Sequence, residues 1–202
     1  MGLLAQRNKK ISLLLVALMS LLLFFLGYFT ARSNFLQLIL LYGSSFVAYL
    51  LFLKINLSEQ KNDWKLWLLM ALVLRLLLLG MQPNLSDDFF RYIWDGRLLT
   101  HHYNPFDSKP ESWLDHPLFL ELKMGDLYYG NPDSDWFYYE GLNSKAFYSV
   151  YPTTNQMVFG FATWLFPTNA WASIVVMRCC LILAELGTLL FTASILLRLK
   201  MK

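Results

Sequence analysis

Apolar positions in this chain come in blocks. Ile11 to Phe29 and Phe35 to Leu53 are each 19 residues without a charge, enough for a helix to cross a hydrocarbon core of roughly 30 Å. A third block, Trp64 to Met81, carries Lys65 at its edge and Arg75 inside, and a fourth, Ala170 to Leu197, carries Arg178 and Glu185. Both still read as transmembrane. Asn155 to Phe166 is apolar but short: it spans only if the preceding Tyr-Pro stretch enters the membrane with it, and is otherwise re-entrant. The expected fold is an all-α membrane protein with about four to five transmembrane helices. Three lie in residues 1–81, a large extracytoplasmic loop fills 82–153, and 154–202 holds the short re-entrant or spanning helix and a long transmembrane helix.

Inside the loop the pattern changes from blocks to spacing. Phe89, Phe90, Ile93, Trp94 and Leu98 recur every three to four residues, which predicts an amphipathic interfacial helix over 86–100. Ser86 is a suitable N-cap, and Asp87 and Asp88 stand where acids favour a helix start. Asp88, Arg91, Tyr92 and Asp95 then share a polar face that looks across the membrane surface, while the aromatics dip inward. The run Tyr103-Asn104-Pro105-Phe106 reads as the turn that ends the helix.

Composition supports lipid as part of the solvent: 56% of residues are hydrophobic and mean hydropathy is +0.41, more apolar than a soluble domain of this size. The net charge of +3 hides an asymmetry, because 11 of the 14 acids but only 5 of the 17 bases lie between Gln82 and Tyr151. Bases flank the apolar blocks: Arg7, Lys9 and Lys10 before the first, Lys54, Lys61 and Lys65 between the second and third. The positive-inside bias therefore puts the amino terminus in the cytoplasm and the acidic loop outside. Arg198, Lys200 and Lys202 run against this if every block crosses once. The bases form no stripe, so no nucleic-acid partner is expected. The loop holds 17 of the 34 aromatic residues, which argues against disorder and for a folded cap on the bilayer. Cys179 and Cys180 adjoin within an apolar helix and behave as small hydrophobes.

The Asp87–Asp88 pair is the sharpest chemical feature. One carboxylate could serve as general base while its neighbour raises its pKa or helps hold a divalent cation; the helix macrodipole alone also favours acids there. Tyr151, Pro152 and Gln156 mark the loop's return to the membrane, where Tyr-Pro fixes the entry angle. Arg178 and Glu185 lie seven residues apart on one helix face, about 10.5 Å along it. At membrane depth such groups either flank something polar or pair structurally between helices. His101, His102 and His116 lack metal-ligand spacing, so no metal site is expected of them. Asp133-Ser134-Asp135 resembles an Asp-x-Asp cation site, a pattern an acidic turn also produces.

Together these residues resemble a known family. The run Pro83-Asn84-Leu85-Ser86-Asp87-Asp88-Phe89-Phe90-Arg91-Tyr92-Ile93-Trp94-Asp95-Gly96-Arg97, followed by Tyr103-Asn104-Pro105-Phe106, resembles the first extracytoplasmic loop of bacterial GT-C glycosyltransferases. In particular it looks like the polyprenyl-phosphate-mannose-dependent mannosyltransferase type. Tyr151-Pro152-Thr153-Thr154-Asn155-Gln156 resembles that family's Tyr-Pro-Pro-x-x-Gln segment, with Thr153 in place of the second proline. The likeness covers roughly residues 65 to 197. It implies a bacterial inner-membrane protein that transfers a sugar, with inversion, from a polyprenyl-phosphate donor to an acceptor hydroxyl. By position Asp88 is the implied base, with Asp87 next. Arg91, Arg97 and Arg178 are implied for the phosphate, and Tyr92, Asp95, Tyr151, Gln156 and Glu185 for the rest of the substrate site. Family members are considerably longer, which implies a fragment, a truncated gene product, or the amino-terminal half of a split enzyme with a carboxy-terminal partner half. The alternative is a non-catalytic membrane scaffold or channel subunit whose acidic loop binds a partner or cations. A transporter would need paired broken helices, which are not visible.

Overall fold

A computed structural model describes residues 2–57, 64–119, 122 and 141–199, and these are helical with no strand among them. Asp133-Ser134-Asp135 lies outside the described residues. The chain forms two compact units that divide between Ser86 and Asp87.

In the first unit, α1 (Gly2–Phe29) and α2 (Phe35–Leu57) form an antiparallel hairpin. Asn34 caps α2, its side-chain oxygen accepting from Gln37 N at 3.3 Å. At the far end Asn56 Nδ2 donates to the fully buried Ser12 Oγ at 3.0 Å. The third helix, α3 (Trp64–Leu79), runs alongside α1, with Tyr28 Oη donating to Leu77 O at 2.9 Å. Trp67 meets Phe52 of α2 edge to face at 4.9 Å. Arg75 turns a guanidinium nitrogen onto Ala71 O of its own helix at 3.1 Å, which keeps that charge against backbone dipoles. Two open grooves, of about 430 and 480 Å³, are lined by apolar and hydroxyl side chains without one titratable group.

In the second unit, α4 (Asp88–Thr100) packs along α5 (Thr153–Leu165), which leads through four residues into α6 (Ala170–Arg198). A 3-10 turn over Pro110–Trp113 joins them in the cap. Asn169 caps α6 by accepting from Ala172 N at 2.9 Å. The cap's core centres on Ile93, Trp94 and Leu98 of α4, Phe159 and Ala162 of α5, and Ile174 and Met177 of α6.

Among the described residues, three helices are long and apolar enough to cross a membrane: Gln6–Phe29, Phe35–Asn56 and Ala170–Arg198, with mean hydropathies of 2.5, 1.9 and 2.2. Only 22%, 11% and 11% of these windows is buried within the protein, so most of their apolar surface requires lipid. The block expected to span from Trp64 to Met81 folds as a helix of 16 residues, about 24 Å long.

Two expectations for α4 need correction. Ser86 is not the cap: its N–H faces Pro83 O across a turn at 3.5 Å, and the helix starts after Asp87, whose φ of −90° and ψ of −1° are already near-helical. The polar face does not look across a membrane surface either. Arg91 and Asp95 are 2% and 0% exposed, because each neutralises the other while the returning loop supplies further partners. The helix ends before the predicted Tyr103–Phe106 turn. His102 takes a left-handed φ of 63°, Tyr103 N bonds Leu98 O at 2.9 Å and His102 N bonds Leu99 O at 3.0 Å, a Schellman closure.

Candidate functional site

The α4 face that carries Asp88, Arg91, Tyr92 and Asp95 meets the start of α5, and its residues divide into two groups. One group is closed. Asp95 Oδ1 accepts from Arg91 Nε at 2.7 Å, and Oδ2 accepts from Gln156 Nε2 at 2.9 Å and from Ser149 Oγ at 2.5 Å. Gln156 Nε2 also donates to Ser149 Oγ at 2.7 Å. Arg91 Nη1 reaches the backbone oxygens of Ser144 at 3.1 Å and Phe147 at 2.9 Å. A buried charge pair needs this further hydrogen bonding to offset desolvation. The clasp fixes residues 144–149, and with them the position of Tyr151. Arg91 Nη2 and Gln156 Oε1 are buried with no hydrogen-bond partner among the described residues, one donor and one acceptor left over at the clasp's edge.

The other group is open. Asp88 is half-buried in the first turn of α4, next to the Tyr92 and Tyr151 hydroxyls, which share a hydrogen bond. Tyr92 stacks on Phe159 at 4.6 Å and meets Tyr151 edge to face at 4.9 Å. Burial pushes the Tyr92 hydroxyl above its ordinary value of 10.0, Asp88 adds to the rise, and the hydrogen bond from Tyr151 opposes it. Burial also pushes Tyr151 up strongly, with Tyr92, Asp88 and Asp95 acting in the same direction. Both phenols therefore hold their protons at neutral pH, the Tyr151 proton directed to Tyr92. A partly accessible carboxylate with two protonated phenols at its side can accept a proton from a hydroxyl brought to it.

The remaining expected residues fall elsewhere. Asp87 is exposed at the helix start. Arg97 is 4% exposed and donates to Leu122 O at 3.0 Å and Pro167 O at 2.7 Å, so it ties the end of α4 to the α5–α6 connection. On α6, Arg178 follows the last buried position, Met177, and Glu185 is exposed two turns further on. His116 packs on Trp113 at 4.5 Å and accepts from Leu118 N at 3.2 Å. Among the described residues no cluster of three or more His, Cys, Asp or Glu could hold a metal ion.

Ser149 and Gly96 belong to the site although the sequence reading gave neither a role. Nothing in the sequence marks Ser149. Gly96 was legible in principle, since glycine inside a helix costs about 1 kcal/mol and so usually signals close approach. A Cβ there would stand 2.5 Å from Phe159 O and 2.7 Å from Thr163 Oγ1. No protein-family model matches this chain, and neither does any curated protein or solved structure with which it was compared.

Proposed function

We propose that the chain is a membrane glycosyltransferase of the GT-C kind, moving a sugar from a polyprenyl-phosphate donor to an acceptor hydroxyl, with Asp88 as the base. In this reading the α4–α5 cap faces the extracytoplasmic side of the inner membrane. The observation that carries it is the contrast between two carboxylates on one helix face. Asp95 is fully buried and bonded on both oxygens, whereas Asp88 is half-buried against the Tyr92–Tyr151 pair. In the transfer, the acceptor oxygen bonds to the anomeric carbon as Asp88 takes its proton. The bond from that carbon to the phosphate oxygen breaks, and polyprenyl phosphate leaves with the electron pair. Arg91, Arg97 and Arg178 are the cations the family likeness assigns to the departing phosphate; Arg91 and Arg97 also donate to internal acceptors. Guanidinium suits that role through paired hydrogen bonds to phosphate oxygens.

The same expenditure of Arg91 and Arg97 favours the alternative of a non-catalytic scaffold, in which the motif serves only to fold the cap. The full chain in lipid discs, given a photoactivatable polyprenyl-phosphate-mannose, separates the two. The transferase reading expects saturable capture of the donor, and a loss of transfer of about 10² to 10⁴-fold in Asp88→Asn with capture unchanged. Absence of both capture and transfer in the unaltered chain rejects it in favour of the scaffold.

A further inference from the structure

The α5 helix presents two apolar faces, and the protein covers one of them. Gln156, Phe159, Ala162 and Thr163 are buried against α4 and α6, while Met157, Phe161 and Trp164 on the opposite side are 67%, 49% and 67% exposed. At 13 residues the helix is about 20 Å long, too short for a hydrocarbon core of roughly 30 Å.

Its neighbours show where it sits. The α4 helix packs against α5 with the two chains running in the same general direction. Asp88 acts on Tyr151 at one end, Tyr92 stacks on Phe159 in the middle, and Arg97 donates to Pro167 O at the other end. Both ends of the pair are polar, with Asp87, Asp88 and Asn155 at one and His101, His102 and Asn169 at the other. If α5 crossed the bilayer, α4 would carry its charged residues through the hydrocarbon with it. Burial along α6 gives an independent level mark. Ala170, Ser173, Ile174 and Met177 are buried, and no later residue of that helix is. From Arg178 to Arg198 there remains about 31 Å of helix, the thickness of a hydrocarbon core.

We propose that α5 does not cross the membrane: it is seated at the boundary between headgroups and acyl chains, with Met157, Phe161 and Trp164 among the chains and α4 on its far side. Its occupant is bilayer lipid, because α5 passes directly into a helix whose exposed apolar surface already requires lipid. A short helix with aromatic and aliphatic groups on its outer face is suited to that depth. The α6 span and the lipid-facing α5 then both hold the cap at the surface, and Arg178 lies at headgroup level. This inference is independent of the glycosyl-transfer reading.

The test uses the full chain with Cys179→Ala and Cys180→Ala, reconstituted in sealed phosphatidylcholine/phosphatidylglycerol vesicles. Nitroxide labels at Met157→Cys, Phe161→Cys and Trp164→Cys are expected to be relaxed several-fold more by oxygen than by a water-soluble nickel complex. Thr154→Cys and Thr168→Cys, at exposed positions in the first turn of the helix and just past its end, should show the reverse and react with an impermeant maleimide from the same side. Reaction from opposite sides would establish a crossing, and nickel-dominated relaxation at the three face positions would establish contact with water; either overturns the proposal. In the chain with both native cysteines, brominated-lipid quenching of tryptophan fluorescence should fall in Trp164→Phe. Unchanged quenching would count against lipid contact at that face.

Discussion

The α1–α2 hairpin and the α4–α5 pair are both two helices packed side by side, yet they are held by different means. The hairpin buries Val16, Leu26 and Ala48, with a polar link from Asn56 to Ser12 near its open end and another from Gln37 to Phe29 O near its turn. Its outer surface is apolar and suits lipid. The cap pair instead buries an ion pair, a glutamine and a serine, and binds a returning loop through backbone carbonyls. Where lipid is the solvent, helices need only fit, because exposed apolar surface is not penalised. Where a loop crosses over a helix without water, its carbonyls need donors, and buried charges supply them.

Four substitutions or conditions test that contrast. The largest effect is expected for Asp95→Ala, which strands the Arg91 guanidinium in the cap interior at a cost of about 3 to 5 kcal/mol. Proteolysis at the return segment in detergent should rise sharply, and Arg91→Met/Asp95→Leu should recover most of the loss. Comparable protease resistance in Asp95→Ala and the unaltered chain would show that the clasp does not hold the cap. Next comes Gly96→Ala, whose methyl must displace Phe159 O, a backbone atom, and which should cost about 1 to 3 kcal/mol. Its readout is lost fluorescence contact between labels on α4 and α5, with the spanning helices still protected from proteolysis.

A smaller effect comes from pH. The folded cap holds the Tyr92 and Tyr151 protons above the ordinary value of 10.0, so their contribution is intact below pH 10 and declines as pH rises beyond it. Tyrosinate absorbance should show these two ionising after the exposed tyrosines, and Tyr92→Phe/Tyr151→Phe should remove the late fraction. The smallest effect is predicted for Asn56→Ala in the hairpin, about 0.6 kcal/mol in lipid, since separated helices find other partners for their polar groups. A loss as large as that of Asp95→Ala would erase the distinction between the two pairs.

How much of this was legible in the sequence varies with the length scale of the interaction involved. The first two apolar blocks and the fourth could be located within a few residues, because a crossing demands an uninterrupted run and little else. The α4 helix was legible from its spacing, and its end from Tyr103-Asn104-Pro105, although the left-handed turn itself falls on His102. The facing of α4 was not. Spacing says that Arg91 and Asp95 share a side, but not whether water or protein lies there. The answer depends on Ser144, Phe147, Ser149 and Gln156, more than fifty residues away. The short block at Asn155–Phe166 was ambiguous for the same reason: whether an apolar helix of that length crosses depends on what it packs against.

By itself the sequence determined that lipid is needed and which segments are long enough to cross it, since these follow from composition and local periodicity. Only the tertiary structure decided which charges are buried and paired within the protein. That outcome is set by contacts between segments distant in the chain, where burial turns an ordinary charged residue into one that must find a partner.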